Sequence, residues 1–399
     1  MVSYYHDDTV NDGPLLPVEL CEHILDFVWP DRITLLSCAL VCRAWLPRGR
    51  LNLLHQVRLR DRTQAWSLSS FLSRHAVCCS SVRVLQISPR YSGWTLTRAF
   101  PLLFVGKLSH VEHIRLENRC GFNFFAQPRS LTALGQFVSV RKLEIRGYML
   151  PSLHSFGRLI TALPNITTLI CRTIRWSTVD YSPESFRPVS ARLKLTTMAM
   201  SDIRWYDELV DMLADIVDLR SLPTLNIQSV QMQELQPVNR LIDAVGSALR
   251  HLVLSPSPTS WPARNASAFP TLTSNVNLRT LRLHFHDRGE WIVPMLSELA
   301  SEPRPFLALR ISNQEILDEE SLRLLRLDRL AEIVAQHRLN PRELVFCHKR
   351  SIFGVDEYHA EVRRCLPDAA ARGLLRIEPS EFVCIVRPHV RESTHSRDR

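Results

Sequence analysis

Val140-Arg141-Lys142-Leu143-Glu144-Ile145-Arg146 sets apolar side chains at its first, fourth and sixth positions with polar ones between them. From Leu143 onward this is the period of two that marks a strand with one buried face. The same apolar-x-x-apolar-x-apolar phrase recurs at Val82/Leu85/Ile87, Val111/Ile114/Leu116, Ile166/Leu169/Cys171, Leu222/Leu225/Ile227, Leu249/Leu252/Leu254, Leu278/Leu281/Leu283 and Phe306/Leu309/Ile311. A weaker copy is Leu193/Leu195, whose first position is Ser190. The copies thus begin at positions 82, 111, 140, 166, 190, 222, 249, 278 and 306, an uneven but persistent spacing. A period of about 28 residues predicts a stacked repeat, because a lone strand cannot cover its own apolar face whereas a neighbour of the same design can.

Helical spacing fills the intervals, clearest at Tyr206, Leu209, Val210, Leu213, Ile216 and Val217, and again at Val238, Leu241, Ile242, Val245 and Leu249. The alternation resembles leucine-rich repeats of the long, helix-bearing type. That resemblance implies an α/β solenoid in which short parallel strands alternate with helices outside them. The family usually carries Asn or Cys three residues after the last strand leucine, where this chain has Arg90, Arg119, Tyr148, Ile174, Ser257 and His286. The turns must then satisfy their backbone groups by other means, and the array is expected to be irregular. Past residue 315 the phrase weakens. Helical spacing at Leu322, Leu325, Leu330, Ile333 and Val334, with apolar runs at Leu344–Phe346 and Phe382–Val386, predicts a terminal cap. Pro256, Pro258 and Pro262 mark a loop on the array.

Ahead of the array, Pro17 suits a first helical turn, and Leu20, Ile24, Phe27 and Val28 follow at i, i+4, i+7 and i+8. The Trp29-Pro30-Asp31 step ends that helix, and Asp31 caps a second one reaching about Cys42. Leu35, Leu36, Ala39, Leu40 and Val41 make the second helix apolar around much of its circumference. So short a segment cannot bury all of this internally, and a partner is expected to cover what is left.

The order Leu16-Pro17-Val18-Glu19-Leu20, then Ile24-Leu25, then Leu35-Leu36-Ser37-Cys38-Ala39-Leu40-Val41-Cys42-Arg43-Ala44-Trp45 resembles an F-box, the Skp1-binding module of cullin-RING ubiquitin ligases. The match covers about residues 14 to 48. Phe27-Val28-Trp29-Pro30 departs from it, since many members have Leu-Pro there. The resemblance implies a three-helix F-box over 14–60 and a degenerate repeat array with a C-terminal cap over 61–387, between disordered tails at 1–13 and 388–399. It also implies that Leu16, Pro17, Ile24, Leu25, Leu36, Leu40, Val41 and Trp45 face Skp1 or shape the surface that does. F-box proteins of fungi often join the module to irregular repeats. The function implied is a substrate-recognition adaptor that docks Skp1, and through it cullin, while the array holds a target protein. An interaction scaffold acting outside a ligase is the alternative.

Each strand phrase also predicts which residues lie opposite the core, at positions two, four and six after its first residue. Arg115, Lys142, Arg146, Arg172, Arg192, Lys194, Arg282 and Arg310 occupy such positions, against only Glu117 and Glu144. The ratio of 8 to 2 exceeds that of the whole chain, 49 to 40, and predicts a basic stripe suited to an acidic or phosphorylated peptide.

The remaining features exclude more than they suggest. A net charge of +9 is scattered rather than massed, which argues against nucleic acid as the partner. No long apolar window and no signal-peptide pattern occurs, so a cytoplasmic or nuclear protein without membrane contact is expected. The ten cysteines form no CxxC pair and read as small core residues. His284-Phe285-His286-Asp287 offers two histidines without a third ligand, and Cys347-His348 lacks an orienting acid, so these read as exposed histidines and a buried cysteine. With no GxSxG, GxxxxGK[ST], HExxH or dinucleotide fingerprint, neither an enzyme nor a cofactor is expected.

Overall fold

A computed structural model describes residues 16–89, 94–118, 128–182, 184, 192–257, 272–285, 291–299, 307–313, 316–317, 325–335, 341–348, 350–351 and 355–379. It is a mixed α/β protein in which mostly parallel strands alternate with helices. Two compact units divide the chain, Met1–Met198 with Asp211–Asp218 and Ala199–Val210 with Leu219–Arg399.

The first unit opens with α1 (Val18–Val28), α2 (Arg32–Val41) and α3 (Leu46–His55). It continues as β1 (Gln56–Leu59), α4 (Arg62–Arg74), β2 (Val84–Ile87), α5 (Trp94–Phe104), β3 (His113–Glu117), α6 (Pro128–Leu134), β4 (Lys142–Arg146), β5 (Met149–Ser152), α7 (Leu153–Thr161), β6 (Thr168–Arg172) and β7 (Arg175–Thr178). Strands β1-β2-β3-β4-β6 pair in that order, all parallel, and β5 pairs with β7. The repeat interval sets their register. Leu85 stands opposite Ile114, then Leu143, then Leu169, while Ile87, Leu116, Ile145 and Cys171 form the next row. All eight are buried. Each phrase therefore lays its apolar residues on those of the repeat before it, and the core grows as continuous rows.

The division between units falls within β8 (Thr197–Ser201) and α8 (Asp207–Ile216). The second unit adds β9 (Thr224–Val230), α9 (Leu235–Val245), β10 (His251–Pro256), β11 (Thr280–Phe285), α10 (Ile292–Leu299), β12 (Leu307–Asn313), β13 (Ile316–Leu317), α11 (Leu327–Ala335), β14 (Pro341–His348), β15 (Arg350–Ser351), α12 (Val355–Cys365), α13 (Pro367–Ala371) and β16 (Leu375–Pro379). Its strands β9-β10-β11-β12-β14-β16 are again parallel, with Leu225, Leu252, Leu281, Leu309, Leu344 and Leu375 in one row.

Three expectations about the strands need correction. The weak copy at Ser190/Leu193/Leu195 is not a strand, since Leu193 makes only an isolated bridge to Val217. The strand is β8, whose phrase reads Leu195/Met198/Met200 and begins nearly midway between Ile166 and Leu222, which evens the period. Methionine disguised it, because a flexible thioether fills a core position as well as leucine does. The sheet also begins earlier than expected, at β1, where Leu54/Val57/Leu59 stands one period ahead of Val82 and lies inside the stretch 14–60. And residues beyond 315 continue the parallel pairing through β14 and β16, with one register shift between Leu307 and Ala308 in the pairing of β12 with β14. Both tails, Pro258, Pro262, Ser190, Phe306, Leu322 and the Phe382–Val386 run lie outside the described residues.

The turns replace the missing Asn ladder with backbone bonds repeated from copy to copy. Arg83 O accepts from both Glu112 N and His113 N, Glu112 O from Arg141 N and Lys142 N, and Arg141 O from Thr167 N and Thr168 N. Pro223 O and Arg250 O do the same in the second unit. Side chains finish the helix ends. Asn165 Nδ2 donates to Val138 O at 2.8 Å, and Asn275 Nδ2 donates to Ile242 O at 3.1 Å and Gly246 O at 2.9 Å. These bonds spare the turn carbonyls from facing the apolar rows unpaired.

Gly147 closes β4 with φ +71°, and a Cβ built there would stand 2.1 Å from Asn118 O. Its N–H donates to Arg172 O, while Asn118 N donates to Arg146 O, so this residue holds three neighbouring strand ends together. Gly147→Ala combines left-handed strain with a backbone clash and should destabilise the first unit by about 2–3 kcal/mol, measured by urea unfolding.

Candidate functional site

Two surfaces of the first unit carry functional chemistry, and each is set by how its elements fold. In α1, Cys21 and Leu25 are buried at i, i+4, whereas Leu20, Ile24 and Phe27 form a second stripe left in solvent. In α2, Leu35 and Ala39 are buried, whereas Ile33, Leu36 and Leu40 are exposed at i, i+3 and i+7. Phe27, Leu40 and Ile33 are 88%, 86% and 79% exposed, which makes them contact surface rather than core. Among the described residues, ten of the sixteen large exposed apolar side chains fall within 16–41, so the excess is local.

The scaffold beneath this surface is firmly built. Asp31 caps α2 by accepting from Ile33 N at 3.0 Å and Thr34 N at 3.3 Å. Gly49 lets α3 cross α2 closely, since a Cβ there would meet Ala39 Cβ at 3.1 Å. Asp26 accepts from Arg48 Nε at 2.7 Å and Asn52 Nδ2 at 2.9 Å, tying α1 to α3. The hydrogen bond from Arg48 holds the Asp26 carboxyl below the usual range.

The second surface is the polar face of β1, β2, β3, β4 and β6. Glu144, on β4, is buried and accepts from Arg115 Nε at 2.8 Å, with His113 Nε2 at 3.6 Å and an Arg146 nitrogen at 3.8 Å. Burial by itself would raise the Glu144 pKa, but His113, Arg115 and Arg146 together outweigh it and hold it at about 2. Glu117, also buried, accepts from Gln86 Nε2 at 2.8 Å and lies 3.7 Å from Arg58. Arg58 in turn donates to Ser88 Oγ at 3.0 Å. Where this face meets the helices there is a cleft of about 600 Å³, lined by Trp29 and Pro30 from the α1–α2 turn, Arg32, Leu35, Asn52, Leu53, and Gln56, Arg58, Arg60, Gln64 and Gln86.

The structure sorts the residues expected from sequence. Leu16, Pro17, Ile24, Leu36, Leu40 and Val41 are exposed, Trp45 is half-buried at the start of α3, and Leu25 is fully buried. Leu25 therefore offers no contact surface and acts by seating α1. Of the expected basic stripe, Arg115, Lys142, Arg146 and Arg172 share the polar face of the first unit. Arg282 and Arg310 lie opposite each other on β11 and β12 of the second unit. Arg192 and Lys194 drop out, because the strand lies at β8 rather than at Leu193. The face is also less open than expected. Gln86, Ser88, Glu117 and Glu144 are buried on it.

Sequence reading missed Phe27, Ile33 and Val18 as exposed surface, although two interleaved apolar stripes on each helix signalled it. It also missed Arg58 and Arg60, which the early start of the sheet at β1 brings to this side, and Arg32, which lines the cleft from α2, whereas the phrase rule already placed Gln86 and His113 on the polar face. His284 is buried rather than exposed and Cys347 is half-buried, while His286 and Asp287 lie outside the described residues. Among the described residues, no cluster of three or more His, Cys, Asp or Glu side chains could hold a metal, and no helix is long and apolar enough to cross a membrane.

No protein-family model matches this chain, and no curated protein matches it in sequence.

Because the folded pKa of Glu144 lies below its ordinary 4.5, the stability it contributes is present above about pH 4.5 and is lost as pH falls toward 2. Glu144→Gln should cost on the order of 2–3 kcal/mol at pH 7. The gap between variant and wild type should narrow as pH falls from 4.5 toward 2, read from denaturant midpoints across that range.

Proposed function

We propose that the chain is a substrate-recognition adaptor of a Skp1–cullin–F-box ubiquitin ligase, with α1–α3 as the F-box and the strand–helix units as an irregular leucine-rich-repeat array. One observation carries this reading: α1 and α2 each keep one apolar stripe for their own core and leave a second stripe of Leu20, Ile24, Phe27, Ile33, Leu36 and Leu40 in water. A capping role for these helices needs only the first stripe. The second is explained by a partner that covers it, and the ordered Leu-Pro-x-Glu-Leu to Val-Cys-Arg-x-Trp motif resembles the module that docks Skp1.

In this reading the ligase's other subunits do the chemistry, and the adaptor supplies proximity. Holding a target beside the ubiquitin-charged enzyme turns a bimolecular transfer into a nearly intramolecular one. The target would occupy the polar face of the strands, where side chains project from consecutive repeats. The exposed apolar helices supply affinity for Skp1, since each large side chain buried there contributes about 1.5–3 kcal/mol.

Full-length wild type and a Leu36→Asp/Leu40→Asp variant should be compared in pull-downs probed for Skp1 and cullin. Both side chains are exposed, so the variant should keep its circular-dichroism spectrum. Wild type is expected to retain both partners and the variant to lose them by more than about tenfold, the equivalent of roughly 1.4 kcal/mol. Retention of Skp1 without cullin would favour the scaffold alternative. A wild type that retains neither would end the adaptor reading.

A further inference from the structure

The cleft beside the N-terminal helices has two kinds of wall. Trp29 and Pro30, both exposed, form an apolar side where α1 turns into α2. Arg32 at the start of α2, with Arg58 and Arg60 from the β1 side, brings three guanidinium groups to it, and no carboxylate lines it. Glu117 stands 3.7 Å from Arg58 but also accepts from Gln86, while Asp31 and Asp61 cap α2 and α4. Arg32, exposed, and Arg60, half-buried, make no side-chain hydrogen bond or ion pair with a described residue. At about 600 Å³ the space is as large as sites that hold small ligands.

The chain itself carries a segment of matching character. Residues 1–15, which lie outside the described residues, contain Asp7, Asp8 and Asp12 and no lysine or arginine, and Tyr4-Tyr5 stands just ahead of the acidic pair. Residues 380–399 are no match, with four arginines against three acids. We propose that residues 1–15 dock in this cleft within the same molecule, with Asp7 and Asp8 against Arg32 and Arg60 and with Tyr4 and Tyr5 on Trp29 and Pro30. The docking rests on charge and reach and is independent of the adaptor reading.

The reach suffices. Trp29 lies about 18 Å along α1 from Pro17 at the ordinary helical rise. The stretch from Asp8 through Leu16 spans up to about 30 Å when extended. Tethering also lets weak contacts suffice. Exposed ion pairs hold a free peptide poorly, but a segment joined to the helix that ends at the cleft acts at an effective concentration on the order of a millimolar. Tyrosine laid on the Trp29 indole adds aromatic burial, and carboxylate–guanidinium contacts inside a cleft are less screened than those on open surface. An outside anionic ligand then enters only by displacing the segment, so the chain gates its own cleft.

Brief chymotrypsin digestion of the full chain, read by mass spectrometry, measures how fast the bond after Tyr5 is cut relative to a free peptide of the same sequence. At low salt the wild type should be cut at least tenfold more slowly than the peptide. Salt at 1 M should remove most of that protection, because the Debye length falls to about 3 Å. Arg32→Glu/Arg60→Glu should abolish the protection, as should Asp7→Arg/Asp8→Arg, and the four substitutions together should restore it. Arg282→Glu/Arg310→Glu makes the same charge change at a register pair of the second unit and should leave it intact. A second measurement spares the arginines: the Asp7→Arg/Asp8→Arg chain, its cleft vacated, should bind a labelled peptide of residues 1–15 at least tenfold more tightly than wild type does. Equal binding overturns the proposal. Wild-type cleavage as fast as that of the peptide leaves the cleft to an outside ligand and overturns it too, and protection that survives Arg32→Glu/Arg60→Glu places the segment elsewhere with the same result. Protection that rises with protein concentration would assign the cleft to a second copy's segment and overturn docking within one molecule.

Discussion

A short parallel strand can neither satisfy its own backbone groups nor cover its own apolar face, and this chain meets both needs by laying each strand in register on the one before. Rows such as Leu85, Ile114, Leu143 and Leu169 are the result, as is the sharing of Arg83 O, Glu112 O and Arg141 O between paired N–H groups of the next repeat. The same register has a second effect. Residues at equal phase on the polar side are brought into rows as strictly as those of the core, so Glu117, Arg146 and Arg172 align because Leu116, Ile145 and Cys171 do. Core packing thereby places the charges.

The N-terminal helices meet a different constraint. A three-helix module of this size has room in its core for one stripe from each helix, and Cys21, Leu25, Leu35 and Ala39 fill it. The close crossing at Gly49 and the Asp26–Arg48–Asn52 ties fix α1 and α2 against α3. The second stripes are consequently presented on a rigid frame. A preordered apolar surface loses little conformational entropy on association, which is what a docking surface requires.

Electrostatics on the strand face follow from burial. Two carboxylates held nearly out of water need cations close by, and Arg58, Arg115, Arg146 and His113 provide them. Arg172, exposed at the end of β6, closes the row of Glu117 and Arg146.

Much of this architecture was legible in the chain itself. The recurring interval between phrases determined parallel strands alternating with helices, because the phrase can bury its leucines only against another copy of itself. Asp31 as a cap and the α1–α2 break were equally readable, since they depend on neighbours in sequence. The limits were also local in origin. Met198 and Met200 hid β8 from a reading tuned to branched residues, and altered intervals hid β14 and β16. What only the tertiary structure decided was burial. Two apolar stripes on one helix look alike in sequence, and packing against α3 chose Cys21 and Leu25 over Leu20 and Ile24. Likewise Glu144 and Arg172 both occupy exposed-face positions in their phrases, yet one is a buried carboxylate ringed by cations and the other an exposed guanidinium, because burial is settled between strands a full repeat apart rather than along them.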